Sequence, residues 1–174
     1  SYRSAGKFDA WSLSIFGQAT MVMKRFEATA GLRYDYESRD AEIDKTTPFG
    51  FGNSTRQGDR SFERILPRAS VAYRPSDEIK TYASAARGFK AGGFNLTAPV
   101  GDESFGTETS WTYEIGVKAQ WLNDRVTANA AFFFVDWDDM QLSQFDQSAG
   151  GYVANTGKST SKGFELELAR KVND

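Results

Sequence analysis

Between Trp111 and Trp121 apolar and polar residues alternate without a fault. Trp111, Tyr113, Ile115, Val117, Ala119 and Trp121 fall on one face of an extended chain, and Thr112, Glu114, Gly116, Lys118 and Gln120 fall on the other. Alternation of this length predicts a β-strand. The turn Leu122-Asn123-Asp124 follows, and a second strand starts at once within the stretch that ends at Met140. Aromatic residues bracket a purely apolar face, while the opposite face carries charge. A strand needs that division when one side meets lipid and the other meets water.

The pattern recurs along the chain. Trp11, Leu13, Ile15, Gly17, Ala19 and Met21 share one face, and after a turn at Lys24-Arg25 so do Phe26, Ala28, Ala30, Leu32, Tyr34 and Tyr36. A third strand is predicted from about Phe62 to Arg74. A fourth runs from Ile79 to Arg87 after the turn Pro75-Ser76-Asp77-Glu78, and a last one lies near Lys162 to Arg170. No stretch of useful length prefers the helical period. The expected fold is all-β, an antiparallel up-and-down meander of about seven strands. Short turns near 23–25, 75–78 and 122–124 alternate with long links near 44–60, 88–109 and 143–156 that are rich in Gly, Ser, Asn and Asp. In a meander every second connection lies at the same end. One end therefore carries tight turns and the other carries long loops, the asymmetry of outer-membrane barrels.

Composition narrows the chemistry. The net charge of −2 offers no case for nucleic acid, and lysines and arginines are spread along the chain with no contiguous basic patch. The absence of cysteine excludes disulfides and thiolate metal sites, and the absence of histidine removes the commonest catalytic base. No apolar run approaches the ~18–20 residues of a membrane helix. Mean hydropathy is −0.53, a value that membrane barrels share with soluble proteins because half of each strand faces water.

A soluble eight-stranded barrel holding a small apolar ligand is the alternative fold, because alternation alone does not say whether the apolar face points inward or outward. Three features favour outward. The aromatics Trp11, Tyr34, Tyr36, Tyr73, Trp111, Tyr113 and Trp121 sit at strand ends, as a membrane-interface girdle requires. Charges such as Arg33, Glu114 and Lys118 lie mid-strand on the opposing face. The long loops all fall at one end.

Four phrases, in order, carry a family resemblance. FGQATMVMKRFEATAGLRYDYESRD resembles the strand pair of TonB-dependent receptors with its "GxRY" phrase. LPRASVAYRPSDEIKTYASAARGFKAGGFN resembles the segment of that family ending in "GFxxGGFN". TYEIGVKAQWLNDRVTANAAFFFVDWDDMQ is similar to its "YExGxK" hairpin, and VANTGKSTSKGFELEL to its "NxG…GxExE" strand. Each phrase is weak alone, but four in order at hairpin spacing are specific.

The resemblance implies a plugged outer-membrane barrel of about 22 strands. It implies uptake of a scarce nutrient, a ferric siderophore first among them, energised through TonB in the bacterial outer membrane. The expected partners are outer-membrane lipid, TonB and the nutrient, with no cofactor and no enzymatic step. Residues 1–174 are then expected to be a partial β-barrel domain, without the plug, the TonB box or the C-terminal strands. It further implies that the segment from Arg87 to Asn95 rises into an external loop, where Arg87, Lys90 and Asn95 are candidate contacts for an anionic ligand; the plainer reading is contact with neighbouring loops or the plug.

Two other clusters are weighed against plainer roles. Asp136, Asp138 and Asp139 invite a hard cation, yet read more simply as a strand leaving the membrane. Glu165 and Glu167 lie on one face about 7 Å apart, a spacing compatible with paired-carboxylate hydrolysis, yet they read more simply as charges in a wet lumen. The sequons at Asn53 and Asn95 carry no weight in a bacterial protein.

Overall fold

The computed structural model describes residues 3–46, 54–95, 98, 101–123, 125–147 and 150–172. Seven long strands form one antiparallel sheet: β1 (Arg3–Met23), β2 (Phe26–Thr46), β3 (Ser54–Tyr73), β4 (Ile79–Lys90), β7 (Glu108–Trp121), β8 (Val126–Asp138) and β11 (Ser159–Arg170). They neighbour one another in chain order, which is the expected meander. Two short hairpins interrupt the count, β5 (Gly93–Phe94) with β6 (Ser104–Phe105), and β9 (Gln141–Asp146) with β10 (Gly150–Asn155).

Register makes one apolar face out of seven striped strands. Directly opposed residues share a face in an antiparallel pair. Met23 opposes Phe26, which opposes Tyr73; Ile115 opposes Phe132, which opposes Phe164. From Tyr73 the opposed partners continue through Thr81, Val117 and Ala130 to Leu166, so this face runs unbroken from β1 to β11. This face is open: Ile15, Ile115, Leu166 and Leu168 are 60% exposed or more. Among the described residues β1 pairs only with β2 and β11 only with β8, so the sheet does not close into a small barrel around these side chains. A lipocalin-like soluble module would enclose them.

The tight turns form one end. Met23 pairs with Phe26 across Lys24-Arg25, and Trp121 pairs with Val126 across the turn that starts at Leu122-Asn123. Neighbouring turns are tied together by backbone hydrogen bonds: Arg74 N donates to Arg25 O at 2.9 Å, Gln120 N to Glu78 O at 2.9 Å and Lys171 N to Arg125 O at 2.8 Å. Lys24, Leu122 and Asn123 hold left-handed φ angles of 52°, 56° and 54° without help from glycine. Leu122 is also 70% exposed, so its side chain gains little from packing there. Leu122→Gly is therefore expected to raise stability by roughly 1 kcal/mol, because it relieves the left-handed penalty. A urea unfolding series on the full receptor reads that change.

The other end corrects the loop boundaries. Strands β1 and β2 stay paired out to Arg3 and Thr46, and β3 pairs with β2 from Ser54 onward. Most of the link expected at 44–60 is thus a tall hairpin wall. The links at 88–109 and 143–156 are likewise structured by the β5–β6 and β9–β10 hairpins. Above the apolar band the face that carried the apolar stripe turns polar, with Lys7, Asp9, Asp40, Glu42 and Asp59 upon it, so the alternation that marks the band stops there.

Candidate functional site

The candidate site is the polar face of the sheet together with the structured loops folded across it. β3 leaves β4 above the pair Arg68–Ala86, while β2 and β3 continue upward together. The β5–β6 hairpin then packs on the inner side of that wall. A Cβ on Gly58 would meet the Phe94 ring, and one on Gly93 would meet Arg39 Nη1 and the Phe105 ring. Both contacts need glycine because an aromatic ring occupies the space where a side chain would stand. Arg64 Nη2 donates to Thr107 Oγ1 at 2.8 Å, and the Arg64 guanidinium lies 5.8 Å from the Phe89 ring centroid. Phe62 and Ala41, on this same face of the wall, are buried.

Three amide side chains brace the loops. Asn95 is 7% exposed and serves as a piece of backbone. Its Nδ2 donates to Asp102 O at 2.7 Å and Val153 O at 2.8 Å, and its Oδ1 accepts from Val153 N at 2.9 Å. Asn155 Oδ1 accepts from Gly106 N at 2.6 Å, while its Nδ2 donates to Asp139 O at 2.7 Å. Gln141 Nε2 reaches Ala91 O and Gly106 O at 2.9 and 3.0 Å, and its backbone N–H donates to Glu108 Oε2 at 2.8 Å. The β8–β11 hairpin bends before it reaches this brace. Asp139 (φ 55°) and Gly157 (φ 93°) take left-handed conformations, and Met140 N donates to Gly157 O at 3.0 Å. From that bend β9–β10 reaches β5–β6.

The three candidate ligand contacts do not converge. Arg87 opposes Trp111, so by register it shares the face of the apolar band, and its Nε is shielded with no hydrogen-bond partner. Lys90 opposes Glu108, lies on the opposite face and is exposed. The Asn95 amide is consumed by the loop brace. All seven singled-out aromatics lie on the apolar face. Trp11 packs tilted against Tyr36 at 5.1 Å and Trp111 stacks on Tyr113 at 6.0 Å toward the loop end; Tyr73 packs on Phe26 at 4.7 Å toward the turn end, where Trp121 also lies.

Asp138 pairs with Lys158 at 3.0 Å, beside the bend, and among the described residues no group of three or more acidic side chains is disposed to hold a metal. Glu165 and Glu167 are exposed on the polar face, and Glu167 accepts from Asn129 at 2.8 Å. Asn53 lies outside the described residues.

One loop carboxylate is tuned by the backbone. Glu103 accepts from its own N–H and from Gly101 N at 2.9 Å, with Arg56 at 3.5 Å, and its carboxyl is held below the usual carboxylate range. A depressed folded pKa stabilises the loop above the ordinary carboxylate pKa, and that support is lost as pH falls through the depressed value. The Gly101 amide chemical shift is expected to titrate at that lowered pH, and in Glu103→Gln it should stay flat. The group is solvent-exposed, so the effect on overall stability is expected to be small.

A sheet with one continuous apolar face, girdled by aromatics, and one polar face under structured loops defines a class: a segment of transmembrane β-barrel wall. The match to a family model is more specific. Residues 1–172 match the family described as TonB dependent receptor-like, beta-barrel, and the chain belongs to it. It is 29% identical over 171 residues to the pesticin receptor of Yersinia enterocolitica, covering 94% of this chain and 24% of that protein. With the ferric-pyoverdine BN7/BN8 receptor of Pseudomonas putida it shares 31% over 156 residues, covering 86% of this chain and 18% of that one. The crystal structure of the ferric yersiniabactin uptake receptor from Yersinia pestis superposes with a TM-score of 0.81 at 26% identity, over 96% of this chain and 25% of that one. The chain thus spans about a quarter of the length of the first of these relatives.

Proposed function

We propose that this segment is part of the barrel wall of a bacterial outer-membrane receptor that takes up a scarce nutrient, with a ferric siderophore as cargo and energy supplied through TonB. The carrying observation is the apolar face seven strands wide, lying on a chain that belongs to the TonB-dependent receptor barrels. Residues 1–174 are read as part of the barrel domain. The apolar face meets lipid, and the aromatic tiers sit at the two membrane interfaces. The tight turns face the periplasm, and the braced loops face outward. A strand of the Trp111–Trp121 kind has the roughly 9–11 residues that a tilted crossing needs.

Names of the relatives support the cargo: a ferric-pyoverdine receptor and a ferric yersiniabactin uptake receptor are among them. Within this segment Lys90 is the candidate that keeps an exposed charge on the lumen side of the loops. The work done is binding and passage, without covalent chemistry. Disruption of the gene for the full receptor should abolish uptake of radiolabelled iron from at least one siderophore in a panel, and the protein should fractionate with the outer membrane. Recovery in the soluble periplasmic fraction, or unchanged uptake of every chelate together with no binding by the purified receptor, would overturn the reading.

A further inference from the structure

The third strand carries Arg56, Arg60, Arg64 and Arg68, one arginine every fourth residue. Four is an even step, so on a strand all four share a face. Register puts that face with Ala41 and Arg39 of β2, the side on which the loops pack. Each step is about 13 Å at ~3.3 Å per residue. The ladder therefore runs from the loop end down to the level at which β3 begins to pair with β4, at Arg68 and Ala86.

The opposite side of the same wall is acidic. Asp40, Glu42, Asp59 and Glu63 share it. The ladder face also holds Asp35 and Glu37, but each is paired to an arginine of its own strand, Arg33 and Arg39, so neither neutralises the β3 arginines. The polar-side arginines are not all used by the fold. Arg56 pairs with Glu103 and Arg64 is held by Thr107. Arg60 and Arg68 are exposed, and among the described residues neither has a hydrogen bond or ion pair. An unpaired guanidinium always carries its charge and is built to meet carboxylate, phosphate or a similar planar or oxyanionic group.

We propose that the arginine ladder on β3 is an anion track down the inner wall of the barrel, on which Arg60 and Arg68 are the free stations. It guides a ligand of net negative charge, such as a carboxylate- or catecholate-bearing metal chelate, from the loops toward mid-barrel. The inference rests on the barrel reading, because only there does the polar face line a lumen. The two free stations stand about 26 Å apart along the strand, with Arg64 between them, and the ~13 Å step between neighbouring rungs exceeds the ~8–10 Å screening length at moderate salt, so each rung acts locally.

Cysteine is absent from this segment, which makes a cargo-independent test direct. Leu66, on the ladder face between Arg64 and Arg68, is replaced by Cys in the full receptor in cells. Its modification rate is then measured with a sulfonate-bearing and a trimethylammonium-bearing methanethiosulfonate, against a receptor lacking that cysteine. The anionic reagent should react ~10-fold faster relative to the cationic one than with a free thiol, the size expected of a focused field in a cleft. In Arg60→Gln/Arg68→Gln the bias should fall to within about twofold, and high salt should erase it in the parent. A bias that is absent in the parent, or that survives the double substitution at low salt, overturns the track. So does a Leu66→Cys thiol that neither reagent reaches, since the wall is then sealed against solutes. A Cys in place of Ile65, on the apolar face, distinguishes the two levels of failure: rapid labelling there with none at position 66 refutes the barrel orientation itself.

Discussion

Ile115→Arg is expected to cost about 2–4 kcal/mol and to leave little receptor assembled in the outer membrane. Ile115 is 60% exposed, and its cross-strand partners are Ala83 and Phe132. No carboxylate is placed opposite it on either side. It lies midway between Trp111 and Trp121, so in the barrel reading its side chain stands near the middle of the bilayer, where a guanidinium has neither water nor a partner. Ser84→Lys is the control. Ser84 lies at the same depth on the other face, opposite Glu114, where a wet lumen and a carboxylate receive the charge. Its effect on assembly should stay within ±0.5 kcal/mol, as for most surface changes. The pair is read by the amount of heat-resistant, SDS-folded receptor recovered from membranes. A soluble protein with both faces in water would tolerate both changes about equally.

Asn95→Ala should release the loops while leaving the barrel intact. Its amide satisfies Asp102 O, Val153 O and Val153 N, and the residue is buried. Truncation leaves these backbone groups without partners, at about 1–3 kcal/mol for each that water does not reach. The expected result is a local loss of at least ~2 kcal/mol, by the same measure. It appears as hydrogen exchange rising at least ~30-fold in Val153 and its β10 neighbours, with no change in β7 or β8. Asn95→Asp should be at least as disruptive, because the acceptor for Val153 N survives but a carboxylate oxygen then faces the carbonyls Asp102 O and Val153 O in a buried site. Equal protection in all three proteins would mean that the amide does not join the two hairpins. Nutrient binding is expected to weaken in Asn95→Ala even if Asn95 never touches the nutrient, because β5–β6 and β9–β10 would no longer hold a fixed relation.

Much of the wall was legible in the sequence because lipid imposes a simple code. Where one face meets hydrocarbon and the other water, Leu13, Ile15, Ile115 and Leu166 must alternate with polar residues, and the turns at Lys24, Pro75 and Leu122 must be short. Above the band the code changes. Lys7, Asp9, Asp40 and Glu42 stand on one face, and Arg39 and Arg60 interleave with Ala41 and Phe62 on the other, so neither face shows the continuous apolar stripe that marks a strand below. That is why the sequence pattern ends β1 and β2 near Trp11 and Glu37, while the paired wall itself reaches Arg3 and Thr46.

The site was less legible for the same reason. A search for a basic patch looks for neighbours in sequence, whereas a strand assembles a patch from every second or fourth residue. The step from Arg56 to Arg68 was readable once the strand was known to start at Ser54. Parity also separates Arg87 from Lys90, which the glycine-rich phrase had grouped together. Nothing local marks Asn95 as a brace. Its partners at Asp102 and Val153 are brought to it by the bend at Asp139 and Gly157, and long-range placement of that kind leaves no pattern near the residue.

The central claim is that one face of β7 meets lipid and the other meets water, and spin-label accessibility along that strand tests it most directly. Labels are placed one at a time from position 113 to 119 in the full receptor, reconstituted in a bilayer. Positions 113, 115 and 117 should be reached preferentially by oxygen, which concentrates in hydrocarbon, and 114, 116 and 118 by a water-soluble nickel complex. The two profiles should oscillate in antiphase with a period of two residues. Profiles that oscillate in phase, or a nickel complex that reaches 115 and 117 as well as it reaches 114 and 118, would contradict a transmembrane wall.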